Sequence, residues 1–244
     1  MILRIDHIAV CAEDPDAAMT AYEALLGRPP YAQGRFRLGN MSLDIVEAAP
    51  HRSPLSLVFA ATDMAETRRL LERRAAPSAE PDDEGVVWLD PAGTFGAQIG
   101  LVESDDASTP PAAFARDQVQ ALDHVVVMTA NPERAVALYG ARLGLDFRLD
   151  RKHPQWGARQ IFMRCGDAVV EIAARLDAPV SDLPDRLSGL AWRVADPVAA
   201  QARIAAAGFD VSGVRQGRKP GTSVFTVRAG VPGTPALIIG ATVS

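Results

Sequence analysis

The chain has 244 residues, 48% apolar and 23% charged, with a net charge of −5 and a sequence pI near 5.4. That length leaves room for two ordinary domains. The composition is that of a soluble globular protein, and the acidic balance argues against a general nucleic-acid binder while leaving room for a local basic pocket. Two cysteines, Cys11 and Cys165, are too few for a disulfide framework and form no CxxC zinc pattern, so two buried free thiols are expected. No apolar run approaches the ~20 residues of a membrane span. Met1-Ile2-Leu3-Arg4 leads straight into a strand with no signal peptide, which makes the cytoplasm the expected compartment.

The first strand covers roughly residues 3–11. Asp14 then reads as an N-cap with Pro15 at the first helical position, and Gly27 ends the helix. Strands follow at Arg35 to Leu38 and Met41 to Ala48, with a turn at Gly39-Asn40. A second unit repeats the plan: a strand over Leu55 to Ala60, a helix from Met64 capped by Asp63, and strands at Gly85 to Leu89 and Ala97 to Glu103. Residues 104–118 lack periodicity and read as a linker. Two more units follow. One runs through Leu122 to Met128, a helix from Asn131-Pro132 to Gly144, and strands around Gly166-Asp167. The other has a strand over Leu190 to Val194, a helix from Pro197 capped by Asp196, and strands near 223–228 and 236–239. Each unit reads β-α-β-β-β, unlike the regular alternation of a doubly wound fold.

One hexapeptide occurs twice. Ile5-Asp6-His7-Ile8-Ala9-Val10 returns 117 residues on as Leu122-Asp123-His124-Val125-Val126-Val127, and Pro15, Tyr22 and Gly27 find Pro132, Tyr139 and Gly144 at the same offset. The chain is a duplication, which constrains architecture more than local propensity does. Each copy keeps a metal-capable histidine in an apolar strand.

Four such units, with Asp-His at the head of the first and third, the Tyr-x4-Gly helix end, and strands such as Leu43-Asp44-Ile45-Val46-Glu47 and Val169-Val170-Glu171-Ile172, resemble the vicinal oxygen chelate superfamily of glyoxalases, extradiol dioxygenases, methylmalonyl-CoA epimerases and bleomycin-resistance proteins. The resemblance covers nearly the whole chain outside the linker. It implies an α+β tandem fold, four βαβββ modules pairing into two incomplete barrels. The implied domains are a glyoxalase-like one over residues 1–103, the linker 104–118, and a second glyoxalase-like one over 119–244. It also implies a divalent metal held by the first and last strands of a module. Carried over by position, the metal ligands are His7 and Asp44 from the first module and His124 and Glu171 from the third. Ser56 and Gly189 stand where the second and fourth modules would carry histidine. Gln98 or Gly100, and Ile238 or Ile239, stand where they would carry a carboxylate.

Imidazole and carboxylate suit Zn, Mn, Fe, Co or Ni, and a carboxylate beside such an ion can also act as general base, a role open to Glu171 and Asp44. Glu171 is the sharper case, because it sits in a strand apolar on both sides, where a lone carboxylate is costly. The third module is ten residues longer than the first. Its extra segment holds His153, Trp156 and Arg159, which are candidates for substrate binding, with a surface flap as the plain alternative. Arg218 and Lys219, in a basic Gly/Pro loop, are candidates to clamp a carboxylate or phosphate.

The reading that follows is a metal-dependent lyase or isomerase of the glyoxalase-like kind acting on a small α-hydroxycarbonyl or carboxylate. The alternative is a metal-free protein that sequesters a small molecule, as bleomycin-resistance proteins do. An extradiol dioxygenase ranks lower, because the fourth module lacks His and Glu. The expected partner is a small molecule, with a second copy of the chain left open and neither nucleic acid nor membrane expected.

Overall fold

A computed structural model describes residues 1–50, 52–104 and 113–242, so the expected linker at 104–118 lies in large part outside the described residues. In chain order, the first half carries β1 (Ile2–Ala12), α1 (Pro15–Leu26), β2 (Arg35–Arg37), β3 (Ser42–Glu47), β4 (Leu55–Ala61), α2 (Met64–Arg73), β5 (Val87–Trp88) and β6 (Ile99–Glu103). The second half carries β7 (Ala121–Met128), α3 (Pro132–Val136), β8 (Asp146–His153), β9 (Ala158–Cys165), β10 (Ala168–Arg175), β11 (Arg186–Arg193), α4 (Pro197–Ala206), β12 (Asp210–Val211), β13 (Arg215–Gln216), β14 (Thr222–Ala229) and β15 (Ala236–Ala241). The first six strands form one open sheet, in the order β2-β3-β1-β4-β6-β5. The rest form a second, in the order β12-β14-β15-β11-β7-β10-β9-β8, with β13 on β14. Four modules that each open with a strand and a helix are thus present in an α+β chain, as the sequence leads one to expect; two strands follow the helix in the first and second, three in the third and four in the fourth.

The helices begin where the sequence says they must. Asp14, Asp63, Asn131 and Asp196 each accept a backbone N–H from the first turn, at 2.8–3.1 Å. Proline holds the first position of α1, α3 and α4. One difference appears after α3. Residues Ala137–Arg142 open into a π-helix, and the wider turn keeps Leu138 and Tyr139 both fully buried. No helix among the described residues is long and apolar enough to cross a membrane.

Two compact units can be distinguished by their internal contacts, and they do not follow the sequence halves. Unit one comprises Met1–Ile8, Leu55–Ala107 and Val125–Ser188, so it holds the second and third modules. Unit two comprises Ala9–Pro54, Ser108–His124 and Gly189–Ser244, the first and fourth modules.

In unit one the core face of β9 and β10 presents Ile161, Met163, Val170 and Ile172, all fully buried. Arg134 leaves α3 to bond the carboxylate of Asp185 at 2.7 Å and the Leu183 carbonyl at 2.7 Å, and Thr129 adds a 2.6 Å bond to the same carboxylate. Arg134 and Arg142 both lie over the ring of Phe95, at 4.7 and 5.2 Å. Cys165 is buried, and desolvation pushes its thiol up to about 12.

In unit two the core face of β11, β14 and β15 presents Trp192, Phe225 and Ile238, each fully buried. Arg203 of α4 donates to the carbonyls of Ala24, Leu25 and Asp117, satisfying the otherwise unpaired end of α1. Cys11 is half-buried here, not fully buried as the sequence suggests.

The Asp185 carboxylate has no exposed surface and is held by a guanidinium. Removing one partner of such a pair leaves an uncompensated charge. Asp185→Ala is expected to cost about 3 kcal/mol, seen by calorimetry as a Tm lower by roughly 6–12 °C. A fall below about 2 °C would show that the pair contributes little.

Candidate functional site

Side chains directly opposite each other on paired strands share a face, and alternate residues share it along a strand. In unit one, Glu171 lies opposite Phe162 and Ala173 opposite Gln160. Leu149, Arg151 and His153 lie opposite Phe162, Gln160 and Ala158. All eight therefore sit on the face of β8–β9–β10 turned away from the buried Ile161 and Met163. Glu171 is 6% exposed, and its Oε1 accepts a hydrogen bond from Gln160 Nε2. A buried carboxylate requires such a donor. Gln160 is the partner that sequence reading does not find, because it lies eleven residues away across a hairpin.

The extra segment of the third module is the β8–β9 hairpin with a one-turn 3-10 helix, Pro154–Trp156, at its tip. Gly157 takes a left-handed φ of 60° to close the turn. His153 and Trp156 stack there with ring centroids 4.6 Å apart, and Trp156 is half exposed. Arg159 emerges on the opposite face from Gln160 and is engaged by Asp150 at 2.7 Å and Glu133 at 2.6 Å. It braces the hairpin against α3, whereas His153 and Gln160 share the face of Glu171.

His7 also belongs to unit one. Its Nδ1 lies 2.9 Å from Asp6 Oδ2, and the other oxygen of Asp6 accepts from Arg4 at 2.9 Å. Burial would raise the Asp6 carboxyl, but the bond to His7 and the charges of His7 and Arg4 outweigh it and hold the group below its ordinary value.

Unit two repeats the arrangement. His124 Nδ1 lies 2.8 Å from Asp123 Oδ1. Burial again acts to raise Asp123, and the His124 bond, with the charges of His124, Arg193 and Lys219, lowers it on balance. An ionised carboxylate can only accept, so Nδ1 donates in both pairs. Asp44, 6% exposed, lies opposite Arg35 and pairs with its Nε at 3.1 Å. Arg218 and Lys219 are exposed in a turn closed by Gly217 N–H to Thr222 O at 2.8 Å.

The modules that lack ligands differ for local reasons. In the fourth, Ile238 is in the core and Ile239 is half-buried on the other face, the fourth residue of its strand as Glu171 is of β10. In the second, Gly100 lies opposite Trp88, and a Cβ there would meet Val86 at 2.7 Å and the Trp88 ring at 3.1 Å. A surface depression of about 540 Å³ in unit one is lined by Glu72, Asp90, Phe95 and Arg142, among others. It holds none of the residues expected to bind metal or substrate, and Arg142 there bonds the carbonyls of Ala75 and Gly93. Among the described residues, no three His, Cys, Asp or Glu side chains gather into a cluster able to hold a metal ion.

Residues 123–226 match the model of the Glyoxalase/Bleomycin resistance protein/Dioxygenase superfamily. No curated protein matches the chain. Among solved structures, the Mn(II)-bound glyoxalase from Novosphingobium aromaticivorans is similar with a TM-score of 0.72 at 15% identity, covering 98% of this chain and 82% of that one. A triple mutant of 4-hydroxymandelate synthase from Streptomyces coelicolor gives 0.70 at 16% identity, with 99% and 94% covered. The 2,2',3-trihydroxybiphenyl 1,2-dioxygenase from Sphingomonas wittichii strain RW1 gives 0.69 at 16%, with 100% and 92% covered. At these identities the likeness is one of fold, and it extends over all four modules.

A carboxyl held below its ordinary pKa stabilises the fold above that value, and the stabilisation disappears as the pH falls through the folded-state pKa. Wild type is therefore expected to melt above Asp123→Asn near neutral pH. The gap should close in acid, below the ordinary 3.8. A gap that persists to about pH 2 would place the effect elsewhere than in the carboxylate's charge.

Proposed function

We propose that this chain belongs to the Glyoxalase/Bleomycin resistance protein/Dioxygenase superfamily and is a glyoxalase-like enzyme, a lyase or isomerase that uses a divalent metal on a small α-hydroxycarbonyl or carboxylate. The observation that carries the reading is the Asp–His pair kept in both repeats, at 2.9 and 2.8 Å. A carboxylate on one imidazole nitrogen is the usual backing of a metal-bound histidine, because it fixes the tautomer and raises the basicity of the other nitrogen. The Mn(II) in the similar glyoxalase supports the same direction.

The donor set fits such an ion only in part. Unit one offers His7 and Glu171 and unit two offers His124 and Asp44, while catalytic centres commonly use about three protein ligands. Among the described residues, fewer than three such groups gather in one place. What the chain's own residues supply is clearer. Glu171, oriented by Gln160 on the face that also carries His153, would be the base that takes a proton from a carbon next to a carbonyl.

A second reading is favoured by the absence of a three-residue cluster among the described residues and by Gly100 and Ile239 in the ligand-poor modules. In it the protein binds a small molecule without metal.

Metal analysis of purified wild type and of His7→Ala/His124→Ala separates the two. The enzyme reading expects near-stoichiometric divalent metal in wild type and a loss of most of it in the double variant. Wild type with no metal above background would overturn it in favour of the second reading.

A further inference from the structure

We infer that the surface depression at the C-terminal end of α2 in unit one is a second ligand site, and that it takes a small amino acid with a cationic side chain, such as lysine. The depression, of about 540 Å³, is lined by Glu72, Ala75, Pro77, Asp90, Phe95 and Arg142, among others. It shares no residue with the face of Glu171, and the metal has no part in it. Three departures from regular backbone meet at its wall. Ala75 and Phe95, at φ of 56° and 58°, are the two non-glycine residues with left-handed backbone among those described. Such a conformation is costly for a side chain as bulky as Phe, and it persists only where the surroundings enforce it. Arg142 is the last residue of the π-helical turn that follows α3, a form often found at functional sites. The repeat is broken here as well: 117 residues earlier, the first copy has the fully buried Leu25.

Arg142 is held but not saturated. Its Nη1 donates to Ala75 O at 2.9 Å and to Gly93 O at 3.1 Å, which uses both protons of that nitrogen. The side chain is half-buried, and no described group bonds its Nε or Nη2. That edge of a guanidinium presents two parallel N–H groups, the arrangement that takes a carboxylate bidentately. The ring of Phe95 backs the guanidinium at 5.2 Å. Two exposed carboxylates complete the lining. Asp90 accepts from Ala92 N through Oδ1 at 2.8 Å, and its Oδ2 is bonded to no described group. Glu72 acts on Arg68 by charge alone, and Arg68 is bonded to Glu80 at 2.8 Å. A plain anion would meet two carboxylates here, and a plain cation would meet the guanidinium. A ligand with one carboxylate and two ammonium groups matches all three. Ala75 and Pro77 supply apolar surface for the stem that joins them.

The test is calorimetric titration of the full-length protein with lysine, with norleucine, which lacks the side-chain cation, and with cadaverine, which lacks the carboxylate. Lysine should bind about fivefold tighter than norleucine and about tenfold tighter than cadaverine. A metal ion elsewhere on the protein would be chelated alike by the two amino acids, so their difference reports the depression. Arg142→Gln should weaken lysine by about tenfold and leave cadaverine within about twofold. The double variant Glu72→Gln/Asp90→Asn changes only exposed positions and keeps an Oδ1 acceptor for Ala92 N. It should weaken lysine by about tenfold, and it carries the test if Arg142→Gln fails to fold. Lysine binding that is undetectable, matched by norleucine or by cadaverine, or unchanged in the double variant overturns the proposal.

Discussion

A strand has two faces, and in this chain each module gives one of them to the hydrophobic core. Everything chemical follows from that division. Ile161, Met163, Val170 and Ile172 fill the core face of the third module, and Trp192, Ile238 and Phe225 fill that of the fourth. The other face is the only place where a strand can present a polar group to a ligand. Glu171, Gln160 and His153 stand there in unit one, and Arg193 and Ile239 in unit two. Adjacent residues have opposite fates for this reason. Gln160 meets Glu171, while Arg159, one position earlier, turns to Asp150 and Glu133 and holds the hairpin.

Much of this was legible in the chain. The repeated Asp-His strand and the fixed offset gave four modules, and the Asx–Pro signals placed the helix starts at Asp14, Asn131 and Asp196 to the residue. Glu171 stands out in the sequence as a carboxylate in a strand apolar on both sides, and it is buried against Gln160. The partner itself was not legible, because facing is a matter of phase. Phase is carried along a strand but is reset at each turn, here the Gly166-Asp167 turn that joins β9 to β10. The same holds for Ile238 and Ile239, which sequence cannot tell apart until register assigns one to the core. The grouping of the second module with the third had no sequence signal, since it arises from packing between distant segments.

The four modules share a backbone plan and differ at one position on the last strand. Its occupant is matched by what lies across from it. Asp44 faces Arg35, Gly100 faces Trp88, and Ile239 faces Val224. Glu171 faces Phe162 and takes its hydrogen bond from the diagonal neighbour, Gln160. Cross-strand neighbours are the unit in which a sheet is stabilised, so a change of ligand type here is a change of pair.

The Gly100–Trp88 pair makes that point one of mutational order. Any side chain added at Gly100 collides with Val86 and with the indole. Trimming Trp88 first would open a void and leave Asp82 without the indole N–H it accepts from at 2.7 Å. Either single change is a step downhill in stability, and even both together leave the closer clash with Val86 in place. The second module is thus kept out of ligand chemistry by a packing lock. A laboratory selection for a new acid at that strand would have to change Gly100, Trp88 and Val86 together.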